Sequence, residues 1–143
     1  DGSKKMSKSD PNEGSRINLL DTPEIITKKI KRAKSDSYIG IEFNNPERAE
    51  SKNLIMIYSI LSGKEISQCE NEFSETGWGT FKKLITEQLI ESLEPIQEKY
   101  KVLINDPYQL NKILLEGKEK AENLANQTLK RVKSKLGFFE IEK

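Results

Sequence analysis

Apolar residues recur at helical spacing along most of this chain, and the spacing predicts where its helices begin and end. In the first helical segment Thr22 can act as a cap and Pro23 suits the first helical position. The apolar residues Ile25, Ile26, Ile30 and Ala33 fall on one face. These signals predict a first helix over about residues 22–35.

The middle of the chain predicts two shorter helices behind an irregular connection. Residues 36–50 are rich in glycine, asparagine and proline, and they include an extended piece over residues 38–43. The next apolar run, residues 54–61, ends in Ser62-Gly63, which is typical of a helix C-terminus. A short helix is predicted over residues 66–73.

The two longest periodic segments lie in the second half of the chain. One runs from Phe81 to Leu103 and passes Pro95, where a kink is expected to bend the helix. The other begins at the capping residue Asp106 and ends at Gly137. Together these segments predict an all-α fold, a helical bundle of about five helices.

The first twenty residues have a different character. Glycine and proline stand here among lysine, serine and aspartate, and a short apolar patch at residues 17–20 could pair as an edge strand. We therefore expect residues 1–20 to form a loop with a short strand, followed by a helical domain over residues 21–143.

Composition limits the chemistry that the chain can carry. Positive and negative charges nearly balance at +1, so any binding of anions must be local. The chain has no histidine and a single cysteine, Cys69, which excludes an internal disulfide, His-based metal sites and catalytic triads that need an imidazole. No metal site is predicted. No apolar run approaches the roughly 20 residues that span a bilayer, so we expect a soluble intracellular protein without membrane contact.

One polar stretch stands out near the start. Residues 5–9 read KMSKS and are called the lysine loop below. Two ammonium groups three residues apart on a mobile loop can converge on one polyphosphate, and the serine hydroxyls can bond its oxygens. The alternative is a flexible Lys/Ser-rich terminus without function. A match of this kind by chance is rare, which favours the phosphate clamp.

The lysine loop resembles the second signature motif of class I aminoacyl-tRNA synthetases, and residues 5–12, KMSKSDPN, resemble the form found in bacterial-type tryptophanyl-tRNA synthetases. The similarity continues in order along the chain, at residues 19–37, 53–63, 77–82, 94–100 and 117–138. It implies a C-terminal fragment that begins just before the loop: the end of a Rossmann catalytic domain, then the helical domain that binds the tRNA anticodon.

The same resemblance implies ATP as a substrate, accompanied by Mg²⁺, with L-tryptophan and tRNA(Trp) as the other partners of the full-length enzyme. Lys5 and Lys8 are carried over as catalytic contacts to the ATP phosphates. Ser7 and Ser9 are carried over as hydrogen-bonding residues of this ATP-binding loop, and Met6 as its apolar anchor. A full-length enzyme of this kind is a homodimer and cytoplasmic, an organellar homologue being the alternative.

Basic residues at two places are candidates for binding tRNA. They lie on and just after the first helix and near the end of the last one: Lys28, Lys31, Arg32, Lys34, Lys130 and Arg131. The alternative is a solvated helix face, since positive charge near a helix C-terminus also complements the helix dipole.

Two other functional classes stay open at this point. The chain could be a free-standing helical RNA-binding module, or a structural bundle whose terminus is a disordered tail. Within the synthetases, a tyrosyl-tRNA synthetase relative is the alternative to tryptophan. The chain has no histidine for a HIGH-type motif and no βαβ pattern, so we expect it to have no ligase activity alone.

Overall fold

The computed structural model describes residues 5–138, and all regular secondary structure among them is helical. Five α-helices follow one another: α1 (Pro23–Arg32), α2 (Ala49–Ser62), α3 (Ile66–Glu72), α4 (Trp78–Ile104) and α5 (Pro107–Leu136). A single 3₁₀ turn, Glu13–Ser15, precedes them. The predicted all-α fold and number of helices are confirmed.

Local signals explain most helix ends. The Thr22 side chain accepts a hydrogen bond from the backbone N–H of Ile25, and Pro23 occupies the first turn of α1. Asp106 caps α5 in the same way through the N–H of Gln109, at 3.0 Å. Gly63 ends α2 with a positive φ of 70°, a conformation that glycine adopts without strain.

Two predictions of extended structure are wrong. No strand forms at residues 17–20, because Asn18 and Asp21 close a turn there, with the Asp21 N–H 3.1 Å from the Asn18 carbonyl oxygen. No strand forms at residues 38–43 either. The N–H groups of Gly40 and Ile41 bond to carbonyls of Thr76 and Phe73 instead, at 3.2 and 3.1 Å. An edge strand needs a partner strand, and none lies among the described residues.

The helices divide into two compact units, one ending at Glu98 and the other beginning at Lys99. The first unit has an apolar core to which α1 to α4 contribute, together with Ile41. At its centre the Phe73 ring packs edge-on against Tyr58 and Phe81, with centroid distances of 4.9 and 4.8 Å. Burial of these rings accounts for much of the stability of this unit.

The second unit contains the end of α4 and the whole of α5. α4 runs through Pro95 without interruption, as its periodicity predicted. α5 has the predicted apolar spacing and buries none of its residues. Among residues 5–138, no helix is long and apolar enough to cross a membrane.

Candidate functional site

The lysine loop lies on the surface of the first unit. All five of its residues are exposed, and the Ser7 and Ser9 hydroxyl oxygens are 3.2 Å apart. The Asp10 N–H donates to the Ser7 carbonyl at 3.3 Å and closes a turn. Met6, predicted as an apolar anchor, is 60% exposed. The structure therefore presents both lysines and both serines to solvent, where a ligand could reach them.

The residues after the loop are ordered by their own polar side chains. The Asp10 carboxylate accepts a hydrogen bond from the Asn12 N–H at 2.7 Å, and the Asn12 side chain accepts one from the Gly14 N–H at 3.0 Å. Such turns are typical of aspartate and asparagine. Arg16 then reaches back, and its Nη1 donates to the Asp10 carbonyl at 2.8 Å.

This segment is fixed to the helices at Asp21, a residue that was not predicted to have a structural or functional role. Asp21 is buried, and its Oδ2 accepts hydrogen bonds from the Asn18 N–H at 2.9 Å and from Lys29 Nζ at 2.5 Å. Burial alone would raise the pKa of this carboxyl, but the hydrogen bonds from Lys29 and Asn18 outweigh it and hold the pKa below its usual value. Lys29 of α1 therefore has a structural partner in the segment just before the helix.

Three of the basic residues predicted to bind tRNA share the exposed surface of α1. Lys28, Lys31 and Arg32 are exposed and line a shallow groove together with Pro23, Glu24 and Thr27. The buried face of the same helix carries Ile26 and Ile30. Because α1 is amphipathic, its packing against the core turns these three cations outward.

The other predicted tRNA contacts have different settings. Lys34 follows α1, and its Nζ lies 3.1 Å from Glu50 Oε1, so part of its charge is already neutralised. Lys130 and Arg131 belong to the second unit and are exposed on α5, with Arg131 Nη2 3.4 Å from Thr128 Oγ1. The structure therefore brings Lys28, Lys31 and Arg32 together on one face, and it leaves the α5 pair in the other unit.

A second polar cluster, the Arg48 cluster, lies between α1 and α2 and consists of Asp36, Arg48 and Trp78 with the backbone of Tyr38 and Gly40. Arg48 is almost fully buried, and its Nε and Nη2 donate to the two Asp36 carboxylate oxygens at 2.8 and 3.1 Å. Arg48 Nη2 also donates to the Gly40 carbonyl at 2.7 Å. Burial alone would raise the Asp36 pKa, but hydrogen bonds from Arg48 and Trp78 hold it below its usual value.

The Arg48 cluster was not predicted, because its members are far apart in the sequence and only the folded chain brings them together. The Trp78 Nε1 donates to Asp36 Oδ1 at 3.0 Å across 42 positions. The third Arg48 nitrogen, Nη1, makes no hydrogen bond and lies 3.5 Å from Glu42 Oε1. This cluster orders the connection between α1 and α2, and the described part of the chain contains no group of three or more residues suited to a metal.

The chain is similar to synthetases. The family described as "tRNA synthetases class I (W and Y)" matches residues 1–94. Tryptophan–tRNA ligase of Prochlorococcus marinus subsp. pastoris is 80% identical over 143 residues, which is 100% of this chain and 42% of that protein. The chloroplastic/mitochondrial tryptophan–tRNA ligase of Arabidopsis thaliana is 47% identical over 140 residues, 98% of this chain and 34% of that protein. The chain thus spans less than half the length of these relatives.

A solved structure has a similar fold. The crystal structure of tryptophanyl-tRNA synthetase from Mycoplasma pneumoniae superposes with a TM-score of 0.85 at 29% identity, over 98% of this chain and 44% of that one. The similarity in sequence and the similarity in fold therefore cover the same stretch, which includes the lysine loop, the α1 basic face and α5.

Proposed function

Because the chain belongs to the family of class I tRNA synthetases for tryptophan and tyrosine, we propose that it is the C-terminal part of a tryptophan–tRNA ligase. In this proposal it supplies an ATP-phosphate-binding loop at residues 5–9 and a helical domain that binds the anticodon region of tRNA(Trp). The observation that carries the proposal is the 80% identity to a tryptophan–tRNA ligase over the whole chain, with the lysine loop exposed in the structure.

The chemistry assigned to the loop is adenylate formation. A carboxylate oxygen of tryptophan attacks the α-phosphorus of ATP, the bond from the α-phosphorus to the bridging oxygen breaks, and pyrophosphate leaves with the electron pair. Negative charge on the departing pyrophosphate grows in the transition state, so cations that reach it there lower the barrier. Lys5 and Lys8 are suited to this role because both are exposed on a short loop.

The other ligands of the complete protein follow from the same proposal. Ser7 and Ser9 supply hydroxyls 3.2 Å apart that can bond phosphate oxygens. Mg²⁺ enters with ATP as part of the substrate, and no residue of this chain is assigned to hold it. The homodimeric state and the cytoplasmic location rest on the family resemblance alone, and sedimentation of the complete protein tests the first of them.

The tRNA part of the proposal rests on charge. Lys28, Lys31 and Arg32 form one exposed basic surface on α1, and an RNA backbone neutralises such a surface with release of counterions. Lys34, Lys130 and Arg131 are kept as secondary contacts. The chain as a whole carries a charge of only +1, so binding is expected to be directed to this face rather than spread over the surface.

The deciding experiment is pyrophosphate exchange by the complete protein. We expect ATP–pyrophosphate exchange that depends on tryptophan, with tyrosine as the matched control amino acid, followed by charging of tRNA(Trp). The 143-residue chain alone should be inactive in both assays. Exchange that depends on tyrosine would favour a tyrosyl enzyme, and binding of tRNA without any exchange by the complete protein would favour an RNA-binding module.

A further inference from the structure

A continuous series of polar contacts joins the lysine loop to two helices of the first unit. It begins where Asp10, the residue after the loop, donates its N–H to the Ser7 carbonyl at 3.3 Å. Arg16 Nη1 then donates to the Asp10 carbonyl at 2.8 Å, and Arg16 Nε donates to Asn18 Oδ1 at 3.1 Å. Two of the three guanidinium nitrogens of Arg16 thus connect the loop side of the segment to the helix side.

The series ends at the Asp21 carboxylate. Its Oδ2 accepts from the Asn18 N–H at 2.9 Å and its Oδ1 from the Asn18 side-chain amide at 3.2 Å. Lys29 of α1 pairs with Oδ2 at 2.5 Å, and the two side chains of this ion pair are only about a tenth exposed. From α4, the Gln97 amide donates to the carbonyls of Leu19 and Asp21 at 2.9 and 3.0 Å. Asp21 is therefore where the segment after the loop meets both helices.

We propose that Asp21, with its carboxylate held by Lys29 and its backbone carbonyl by Gln97, anchors the root of the lysine loop and is a positioning residue for adenylate formation. The inference rests on the proposed function of the loop. Asp21 does not touch the substrate in this proposal. It acts through the series of contacts that ends at Ser7, by limiting where Lys5 and Lys8 can be.

The charge of Asp21 is required for the anchor, not only its shape. In Asp21→Asn the amide N–H₂ must take one of the two oxygen positions. At the Oδ1 position it meets the Asn18 side-chain amide, and at the Oδ2 position it meets the Asn18 N–H and the Lys29 ammonium, so two donors repel in either case. The mostly buried Lys29 ammonium also loses its counter-charge. Small errors in the position of a catalytic group are costly, since a displacement of about 1 Å can lower a rate by about 100-fold.

The matched control is Asp36→Asn. Asp36 is also a partly buried carboxylate of the first unit, paired with a cationic side chain through charge-assisted hydrogen bonds, but its contacts lead to Arg48 and Trp78 and not toward the loop. A milder variant of the series is Arg16→Gln, because Arg16 lies outside the apolar core and its replacement should not unfold the unit. All variants are made in the complete protein and compared at a temperature where each is folded.

The kinetic test is a double-mutant cycle on tryptophan-dependent pyrophosphate exchange. We expect Asp21→Asn to lower kcat about tenfold with the KM for tryptophan unchanged, and Arg16→Gln to lower it about threefold. In a Lys8→Ala background, Asp21→Asn should cost less than about a further twofold, because the residue acts through the loop. Equal losses for Asp21→Asn and Asp36→Asn, or a full tenfold loss in the Lys8→Ala background, would overturn the proposal.

Amide exchange of the complete protein gives a readout that does not depend on activity. We expect faster exchange at residues 7–18 in Asp21→Asn, and rates like the wild type there in Asp36→Asn. Unchanged exchange at these residues in Asp21→Asn would refute the anchor. If the wild-type protein shows no tryptophan-dependent exchange of pyrophosphate, the proposed function fails, and amide exchange alone then decides whether Asp21 holds the loop.

Discussion

The lysine loop and the Arg48 cluster both depend on positive charge, but they place it in opposite environments. Lys5 and Lys8 are exposed, and neither forms an ion pair with any residue among 5–138. Arg48 is almost fully buried, and two of its nitrogens donate hydrogen bonds to Asp36 and to the Gly40 carbonyl. A buried cation with fixed partners organises the fold, whereas an exposed cation without them is available to a ligand.

The remaining charged residues can be divided into the same two groups, buried with a fixed partner or exposed. Lys29 resembles Arg48, because it is mostly buried and paired with Asp21. Lys28, Lys31 and Arg32 resemble the lysine loop, because they are exposed on α1. Lys28 and Lys29 are adjacent in the sequence and yet belong to different groups. Mutation of a buried, paired cation is expected to lower stability, whereas mutation of an exposed one is expected to affect ligand binding.

The largest effect expected is on stability, from removal of the buried cation. Arg48→Met should lower the free energy of unfolding of the 143-residue chain by about 3 to 5 kcal/mol, because the partly buried Asp36 carboxylate loses its cationic partner. Urea unfolding measures this loss of stability. Trp78 is the only tryptophan in the chain and donates to Asp36, so its fluorescence reports on the Arg48 cluster.

The control for this prediction is an ion pair in the same unit whose cation is exposed rather than buried. Lys34→Met breaks the pair with Glu50, in which the lysine side chain is 68% exposed, and should cost less than about 1 kcal/mol. If both variants cost the same, the Arg48 cluster does not organise the fold and the comparison with the lysine loop fails.

The next effect is on rate and belongs to the loop. Lys5→Ala and Lys8→Ala should each raise the barrier to adenylate formation in the complete protein by about 2 to 4 kcal/mol, because each removes a charge that acts on the leaving pyrophosphate. Exchange kinetics should show an unchanged KM for tryptophan, and urea unfolding should show unchanged stability.

Lys83→Ala is the matched control for the loop variants. Lys83 is an exposed lysine on α4 at 3.9 Å from Glu87, and its loss should leave exchange at the wild-type rate. Wild-type rates for both loop variants would mean that the exposed lysines are not phosphate contacts.

The helices could be predicted from sequence because their signals are local. Caps such as Thr22 and Asp106 act within one helix each, so both ends of α1 and both ends of α5 agree with the prediction within about three residues. The strand at residues 17–20 failed because strand pairing depends on a distant partner, which a local apolar patch does not reveal.

The candidate site was predictable only where it is a contiguous motif. The lysine loop is five consecutive residues, whereas the Arg48 cluster joins residues 36, 48 and 78, and the Asp21 anchor joins residues 18, 21, 29 and 97. Contacts of this kind depend on the folded chain. α5 shows the same limit. Its apolar spacing predicted a helix correctly, but none of its residues is buried. Periodicity indicates which face of a helix is apolar and does not indicate what covers that face.

A smaller effect is expected from the basic face of α1, which tests whether it behaves like the loop. Lys28→Glu combined with Lys31→Glu should weaken tRNA binding by the complete protein about tenfold and reduce its dependence on salt, because fewer counterions are released. Filter binding at several salt concentrations measures both quantities.

Two controls accompany the charge reversal on α1. Lys83→Glu changes the same charge on α4 and should leave tRNA binding unchanged. Lys34→Glu should weaken it less than Lys31→Glu, since Glu50 already neutralises part of the Lys34 charge. Equal losses at all these positions would indicate a general effect of net charge rather than a defined RNA surface.

The smallest effect expected is a dependence of stability on pH, which separates the two kinds of charge without any substrate. The pKa of Asp36 is lower in the folded chain than its ordinary value of 3.8. The unfolded chain therefore binds a proton first as the pH falls, so the stabilisation by Asp36 is complete above that ordinary value and is lost as the pH drops through the folded pKa. Urea unfolding between about pH 6 and pH 3 should show Asp36→Asn as less stable at pH 6 and less sensitive to acid than the wild type, with the two curves converging at low pH. Lys8→Ala should run parallel to the wild type, because Lys8 forms no ion pair with a carboxylate among residues 5–138. Parallel curves for Asp36→Asn would mean that the buried carboxylate contributes no pH-dependent stability, and the contrast between the Arg48 cluster and the lysine loop would then rest on burial alone.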